Sequence, residues 1–318
     1  MSGLLSSLRR RASSASADHL PRIRKLVEDA GTEVDRYWTG HTVNSKPFAS
    51  AADSERYLDW RFQEYPLFRE FSGLYGDHAG QVVLDYGCGP GNDVVGFALR
   101  SGAERVIGVD VSAPALELAA QRVALHDIDP GRVDLIRTSD GEHDLPLEDA
   151  SVDYVSCQGV LHHVSDPRAI LAELHRVLRP GGAGSVMVYH RDSVWWHLWT
   201  AYDRMIVDGS LAGLDTAEAF RRNTDGPECP ISVAYHGEDF VRICEEVGFE
   251  ASFVGGYLSR HELERLQVSW AQAIADERLA AEHRAFLRGL TYDLGGRPMY
   301  RGIHAGIGGT YRLRRPQG

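Results

Sequence analysis

Residues 81–93 read QVVLDYGCGPGND. The apolar run at 82–84 predicts a buried strand, and the carboxylate of Asp85 follows it. Glycine tolerates positive φ and lets a ligand approach the backbone, and here it stands at three alternate positions, Gly87, Gly89 and Gly91. A helix beginning after such a turn offers free N–H groups at its N-terminus. The stretch therefore predicts a strand, a ligand-binding turn and a helix.

The glycine spacing is G-x-G-x-G, which differs from the dinucleotide fingerprint G-x-G-x-x-G. Asn92 stands where a nicotinamide dehydrogenase has its third glycine. A glycine-rich turn alone has low specificity, so the segments after it must decide between nucleotide ligands.

Strand and helix patterns alternate from residue 81 to residue 190. The spacing predicts strands at 81–86, 105–110, 132–137, 152–157 and 184–190, and helices near 92–101, 113–126 and 167–178. Alternation of this kind predicts an α/β fold with a mostly parallel sheet and helices on both faces. Ligands in such sheets bind beyond the carboxyl ends of the strands.

The sequence divides into four segments. We predict a disordered tail at 1–19, a helical lid at 20–79 that holds ten aromatic residues, the core at 80–190, and an acceptor-binding cap with the remaining core strands at 191–318. Helical spacing predicts that a helix opens at 23–27. In the last part we predict a helix near 238–247, strands near 249–257 and 306–314, and a long helical insertion at 260–289.

Composition limits the classes of function. The 318 residues are 43% hydrophobic and carry a formal net charge of −11, so a nucleic-acid partner is not expected. Among the first 25 residues six are basic and one is acidic, which fits either a solvated tail or a transit peptide. We find no apolar run that could cross a membrane, and the four cysteines form no C-x-x-C. We expect a soluble, cytoplasmic protein with reduced thiols and no metal site; nothing in the sequence indicates an oligomeric state.

Three further segments support the glycine turn. Asp110 ends the second strand about 20 residues past the turn, where a carboxylate accepts two ribose hydroxyls. Asp140 and Gly141 follow the third strand and can hold an adenine edge. The fourth strand ends in CQGVLHHV at 157–164, which brings two histidines to the same edge of the sheet.

Together these segments resemble one family, the class I S-adenosylmethionine-dependent methyltransferases. The chain is similar to the subgroup with small-molecule acceptors, which includes quinone-biosynthesis and natural-product enzymes. The matching segments are VVLDYGCGPG at 82–91, VIGVD at 106–110, SDGEHDLPLEDASVDYV at 139–155 and GVLHHVSDPRAILAELHRVLRPGG at 159–182. The resemblance implies a Rossmann-like, seven-stranded, mostly parallel sheet with S-adenosyl-L-methionine as cofactor. It covers roughly residues 80–190 and does not extend to the flanks.

The resemblance also implies roles for individual residues. The residues implied in cofactor binding are Asp85, Gly87 and Gly89 at the methionine end, Asp110 at the ribose, Val111, Asp140 and Gly141 at the adenine, and Gln158 at the end of the fourth strand. In the lid, Tyr37 and Trp38 either close over the cofactor or only pack.

Histidines are the candidate catalytic residues, because a hydroxyl acceptor needs a general base whereas a thiol or amine needs little help. In the family pattern the first histidine of the pair varies more in type than the second. We therefore assign His162 to the acceptor and His163 to its support, with His41 of the lid as a third candidate base. The alternative is that these histidines only shape their loops.

Residues Trp195, Trp199 and Tyr202 fall on one face of a predicted helix, where they form either an aromatic wall for the acceptor or part of a core. We predict an enzyme that methylates a small molecule at a hydroxyl oxygen, with a saccharide or another natural product as acceptor. Carbon or nitrogen methylation of a quinone-like ring or an amine is the alternative. A non-catalytic regulatory module that binds the cofactor is the alternative from a different class.

Overall fold

A computed structural model of the protein describes residues 20–28 and 31–318. The main sheet contains nine strands in the described part of the chain. They are β1 (Ile23–Lys25), β2 (Val82–Tyr86), β3 (Arg105–Asp110), β4 (Val133–Arg137), β5 (Val152–Gln158), β6 (Leu178–His190), β7 (Ala234–Tyr235), β8 (Glu250–Tyr257) and β12 (Gly308–Arg314). A second, antiparallel sheet contains β9 (Leu290–Tyr292), β10 (Pro298–Tyr300) and β11 (Ile303–His304). The tail predicted at 1–19 lies outside the described residues.

The main sheet runs in the order β1-β4-β3-β2-β5-β6-β12-β8, with β7 paired to β6. All pairs from β1 to β6 are parallel, and only β12 runs antiparallel to its two neighbours. The predicted fold class, α/β with a mostly parallel sheet, is confirmed. The sheet exceeds the predicted seven strands because the short strands β1 and β7 extend it.

The prediction that a helix opens at 23–27 is wrong. Ile23 pairs with Leu135 and Lys25 with Arg137, so this segment is the parallel edge strand β1. Three apolar residues are too short a run to fix a period, and pairing with the open edge of β4 decides the conformation.

Helices cover both faces of the sheet and form the flanking segments. They are α1 (Glu33–Gly40), α2 (Ala51–Glu64), α3 (Phe68–Ser72), α4 (Asn92–Arg100), α5 (Ala113–Leu125), α6 (Pro167–Val177), a π-helix (Trp195–Val207), α7 (Thr216–Asp225), α8 (Gly237–Glu246), α9 (Arg260–Ala275) and α10 (Ala281–Arg288). No helix of residues 20–28 and 31–318 is both long and apolar enough to traverse a bilayer.

Helix α6 illustrates why the local sequence specifies these elements. Asp166 caps its N-terminus by accepting the Ala169 N–H at 3.0 Å, and Pro167 occupies the first turn. Its apolar face, which includes Ile170 and Leu174, is fully buried against the sheet. Strand β6 begins directly after α6, so the Pro-Gly-Gly sequence at 180–182 lies inside β6 and does not end the helix.

The helical insertion predicted at 260–289 is two helices, because the chain breaks between α9 and α10. Both helices pack on the π-helix through buried residues such as Leu198, Ala273 and Phe286. These helices of the cap form a hydrophobic cluster that is separate from the two clusters covering the faces of the sheet.

Candidate active site

A cavity of about 460 Å³ lies beyond the carboxyl ends of β2, β3 and β5. Its floor includes the glycine turn and the ends of those strands, and the lid helices α1, α2 and α3 line the other side. Of the residues implied in cofactor binding, the cavity wall includes Asp85, Gly87, Gly89, Asp110, Val111, Asp140 and Gln158. The structure therefore brings most of the predicted site together at the place where parallel sheets bind ligands.

The glycine turn needs its glycines for different reasons. Gly87 and Gly91 both have a φ of 77°, in the left-handed region. A Cβ added to Gly87 would lie 2.1 Å from a methyl carbon of Val160, and one added to Gly91 would lie 2.8 Å from the Cβ of Ala119. At Gly89 an added Cβ would meet no described atom within 4 Å, so this residue borders open cavity. Gly89 is thus where a ligand can approach the backbone.

Asp110 holds the turn in place from the end of β3. Its Oδ2 accepts the Gly89 N–H at 2.8 Å, and its Oδ1 accepts the Ser112 N–H at 2.8 Å. Burial raises the pKa of this carboxyl, and the backbone N–H groups oppose that rise. The carboxylate is therefore fixed in direction as well as in position.

Asp85 is a buried carboxylate with one unpartnered oxygen among the described residues. Its Oδ2 has no hydrogen-bond partner within residues 20–28 and 31–318, and its side chain lines the cavity. Burial raises the pKa of Asp85 well above its usual value, and the nearby charge of Asp93 raises it further. A cationic group on a ligand would satisfy this oxygen.

The lid contributes an ion pair beside Asp85 that the sequence did not indicate. Arg61 of α2 donates to Asp93 at 2.7 Å and 3.3 Å, and the Tyr75 hydroxyl donates to the same carboxylate at 2.5 Å. Arg61 and Asp93 both line the cavity. No local signal could have paired these residues, because they lie 32 positions apart on different helices.

Asp140 is tied to the lid and to the loop after β5. Its backbone N–H donates to Asp35 of α1 at 2.8 Å, and its Oδ1 accepts the Ser165 N–H at 2.9 Å. Asp35 is itself buried and caps α1 together with Thr32. Gly141, in contrast, is exposed and does not line the cavity, so the structure does not place it with the other predicted residues.

The two adjacent histidines differ in their position relative to the cavity. His163 lines the cavity, whereas His162 is buried behind it with its ring 3.8 Å from the ring of Tyr189. Neither ring nitrogen of His162 has a hydrogen-bond partner among the described residues, and burial lowers its pKa well below the usual value. The structure therefore places His163, and not His162, at the cavity wall.

His163 has a defined ring orientation. Its Nδ1 lies 2.8 Å from the carbonyl oxygen of Ile231, which can only accept, so Nδ1 carries the proton in the neutral ring. The Nε2 lone pair is then free, 3.6 Å from Oδ1 of Asp225. Burial lowers the pKa of His163 and the carboxylate of Asp225 opposes that shift, so the neutral ring is favoured. Trp38 of the lid packs on the ring at 4.6 Å.

Two of the three predicted lid residues, His41 and Tyr37, lie off the cavity wall. His41 is exposed, stacks on Tyr37 at 4.1 Å and has its Nδ1 2.9 Å from the Tyr37 carbonyl oxygen, so it caps α1 and does not face the cavity. Tyr37 is buried, and its hydroxyl donates to the backbone oxygen of Asp225. Of the pair Tyr37 and Trp38, only Trp38 lines the cavity.

For the predicted aromatic face at 195–202 the structure favours packing, one of the two alternatives left open by the sequence. Tyr202 is buried in the cap, and Trp195 donates its indole N–H to Thr224 at 3.0 Å, so these residues pack within the cap and do not line the cavity. The residues that form an aromatic wall are Tyr57, Trp60, Tyr65 and Phe68 of the lid, with Tyr257 at the end of β8. The density of aromatic residues in the lid was the signal for this wall.

Comparisons with known proteins agree with this geometry. A family model described as a methyltransferase domain matches residues 84–186. An uncharacterized 37.1 kDa protein in transposon Tn4556 of Streptomyces fradiae is 45% identical over 169 residues, which cover 51% of this chain and 45% of that protein. A ubiquinone biosynthesis O-methyltransferase of Neisseria meningitidis is 33% identical over 117 residues, 37% of this chain and 48% of the enzyme. The chain thus spans about half the length of the curated relatives it matches.

Among solved structures, the fold is similar to that of phosphoethanolamine N-methyltransferase 2 of Haemonchus contortus, solved with phosphomonomethylethanolamine and S-adenosylhomocysteine. The TM-score is 0.52 at 16% identity, over 90% of this chain and 61% of that one. At this identity the likeness concerns the fold alone. The matched domain confirms the methyltransferase core that the glycine turn and the segments after it predicted.

Proposed function

For a chain whose core belongs to the class I S-adenosylmethionine-dependent methyltransferases, we propose that the whole protein methylates a hydroxyl oxygen of a small molecule. One observation carries the proposal. The cavity that contains the glycine turn, Asp85 and Asp110 also contains His163, whose Nε2 lone pair is free. The groups assigned to the cofactor and a candidate base therefore share one cavity.

The residues present fit the cofactor. The unpartnered Oδ2 of Asp85 suits the ammonium of the methionine end, and the open backbone at Gly89 suits close approach of the ligand. Asp110 suits the ribose hydroxyls and Asp140 the adenine amino group. Gln158 offers a second buried acceptor, Oε1, that has no partner among the described residues. When bound, the cofactor supplies an electrophilic methyl group on a sulfonium.

His163 is the group we assign to the acceptor proton. Its Nε2 accepts that proton while Nδ1–H stays bonded to Ile231, and the Asp225 carboxylate at 3.6 Å stabilises the imidazolium that forms. A positioned general base contributes about 10²–10⁴-fold. The protein otherwise aligns the acceptor oxygen and excludes water. Trp38 contributes to both, because it packs against the His163 ring.

The acceptor side of the cavity is aromatic. Tyr57, Trp60 and Phe68 form a wall there, and the charged side chains beside it, Arg61 and Asp93, are already paired with each other. This wall favours a natural-product hydroxyl on an aromatic or apolar body over a saccharide, because a saccharide presents many hydroxyls that need hydrogen-bond partners. The names of the relatives, a ubiquinone biosynthesis O-methyltransferase and a malonyl-[acyl-carrier protein] O-methyltransferase, support an oxygen acceptor.

A labelled-methyl experiment tests the proposal. The protein is incubated with methyl-labelled S-adenosylmethionine and fractionated metabolites, and the product is analysed by mass spectrometry. We expect the label on an oxygen of an apolar or aromatic compound, with S-adenosylhomocysteine released. A label on carbon or nitrogen would contradict the hydroxyl acceptor. Binding of S-adenosylhomocysteine without transfer to any fraction would instead indicate a regulatory module.

A further inference from the structure

Three side chains with metal-ligating atoms meet beside the cavity. They are His163 in the loop after β5, Asp225 at the end of α7, and Cys229 in the loop that follows. One ligand atom from each lies within 4.8 Å of the other two, and Nε2 of His163 is 3.6 Å from Oδ1 of Asp225. The sequence predicted no metal site because His163 lies more than 60 positions from the other two residues.

Among residues 20–28 and 31–318, no Lys or Arg side chain forms an ion pair with the Asp225 carboxylate. Its side chain is 6% exposed, and its oxygens accept from the neutral hydroxyls of Tyr189 at 2.8 Å and Ser232 at 2.6 Å. Within the described part of the chain, its one ion-pair partner is His163, a ring that is charged only when protonated. Arg221 donates to the backbone carbonyl of Cys229 but does not pair with this carboxylate. A buried carboxylate without a cation of its own is costly, and a bound cation would lower that cost.

We propose that His163, Asp225 and Cys229 form a binding site for a zinc-type divalent cation. Imidazole nitrogen, carboxylate oxygen and thiolate sulfur are the ligands that zinc takes, and a site with three protein ligands leaves one position open. The Nδ1–H of His163 already donates to the Ile231 carbonyl, as a metal-bound histidine does. Because the site adjoins the cavity at His163, the ion reaches it from the cavity.

Charge and protons balance at this site. On binding, the Cys229 thiol releases its proton to solvent and its sulfur bonds to the metal, while His163 binds through the neutral Nε2 lone pair. The two positive charges of the ion are then matched by one thiolate and one carboxylate. A buried site of zero net charge avoids the desolvation cost of an isolated ion.

Occupation of the site has a consequence that rests on the proposed function. The ion takes the same Nε2 lone pair that removes the acceptor proton, so the metal-bound protein lacks its base. The cation is therefore an inhibitor of methyl transfer. Metal binding itself does not depend on the identity of the acceptor, so the two can be measured separately.

The binding test uses the full-length protein, freed of metal by dialysis against a chelator, without cofactor or acceptor. Cobalt(II) is added as a probe and zinc(II) then competes for it. We expect one bound equivalent and a thiolate-to-cobalt absorption band in the wild type. The variant Cys229→Ala should lack the band and bind cobalt(II) about tenfold or more weakly. The control is Cys244→Ala, which removes another buried thiol, on α8, and should retain the band and the affinity of the wild type. Absence of the band in the wild-type protein would by itself overturn the proposed site.

The inhibition test follows methyl transfer to the acceptor found with labelled cofactor. Zinc(II) lowers the turnover of the wild type by about tenfold or more, and a chelator restores it. Cys229→Ala keeps its turnover at the same zinc concentration. Equal inhibition of this variant, or a wild type that needs the metal for turnover, would overturn the inhibitory role.

Discussion

Arg61 of the lid donates two hydrogen bonds to Asp93 in the first turn of α4, at 2.7 Å and 3.3 Å. The two side chains are 14% and 8% exposed, so this is a buried ion pair that joins the lid to the core at the cavity. Losing one member of such a pair leaves the other charge uncompensated, which costs more than the intact pair gains.

We therefore expect Arg61→Met to lower the free energy of unfolding by about 3–5 kcal/mol. The Asp93 carboxylate would then share a buried site with Asp85 and keep only the Tyr75 hydroxyl as a side-chain partner. Urea unfolding at neutral pH measures the change. The control is Glu28→Gln, which removes a pair with Lys25 whose glutamate is 84% exposed and should change the value by about 0.5 kcal/mol or less. A similarly small change in Arg61→Met would contradict the role of the pair.

Asp110→Asn should weaken binding of S-adenosylhomocysteine at least about tenfold. The amide keeps one acceptor oxygen, but its NH₂ group would face the N–H of Gly89 or Ser112 and displace the glycine turn. Calorimetry measures the affinity. Asp129→Asn is a matched control, because Asp129 also accepts a backbone N–H, from Gly131, at a distance from the cavity. Equal affinities for the Asp110 variant and this control would refute the assignment.

The histidine pair gives a prediction with a built-in comparison. His163→Gln should lower kcat by about 10²–10⁴-fold for a hydroxyl acceptor, with cofactor affinity nearly unchanged. His162→Phe keeps a ring against Tyr189 and should leave kcat close to that of the wild type, because His162 does not reach the cavity. Steady-state kinetics and calorimetry on both variants decide the matter. The reverse order of kcat losses would restore His162 as the base.

Some parts of this structure follow from neighbouring residues and could be predicted. The buried strand, the glycines and the start of α4 lie within one short stretch, and the apolar face and caps of α6 within another. Such elements depend on the conformational preferences of neighbouring residues, which can be inferred directly from the sequence. The positions of Asp85 and Asp110 at the cavity follow in turn, because the carboxyl ends of adjacent parallel strands meet at one edge.

Other parts depend on contacts between distant segments. The turn that begins at Gly159, with its φ of 81°, determines which of His162 and His163 faces the cavity. Two adjacent histidines in a sequence do not show this. Asp225 approaches His163 only because α7 packs beside Tyr189 of β6. The sequence left open whether the aromatic face at 195–202 lines the acceptor site or packs in a core, since aromatic spacing shows which residues share a face but not what that face meets; the aromatic wall of the cavity lies in the lid.

Glu262 predicts how stability depends on pH. It is fully buried in the first turn of α9, where it accepts N–H groups of Ser259 at 2.7 Å and Trp195 at 3.0 Å. Burial raises its pKa to about 7, although these hydrogen bonds oppose the rise. The folded pKa therefore lies above the unfolded one, so the stabilising contribution of the protonated carboxyl is complete below the unfolded value of about 4.3 and is lost as pH rises through about 7.

Between about pH 4 and pH 7 we accordingly expect Glu262 to lower the free energy of unfolding in urea as pH rises, and Glu262→Gln to remove this contribution to the pH slope. The amide cannot ionise, so the variant does not bury a charge at the upper end of this range. Glu264→Gln, two positions along the same helix on an exposed side chain, should keep the slope of the wild type. If Glu262→Gln retained the full slope, another buried group would have to account for it, and the neutral carboxyl at the start of α9 would be refuted.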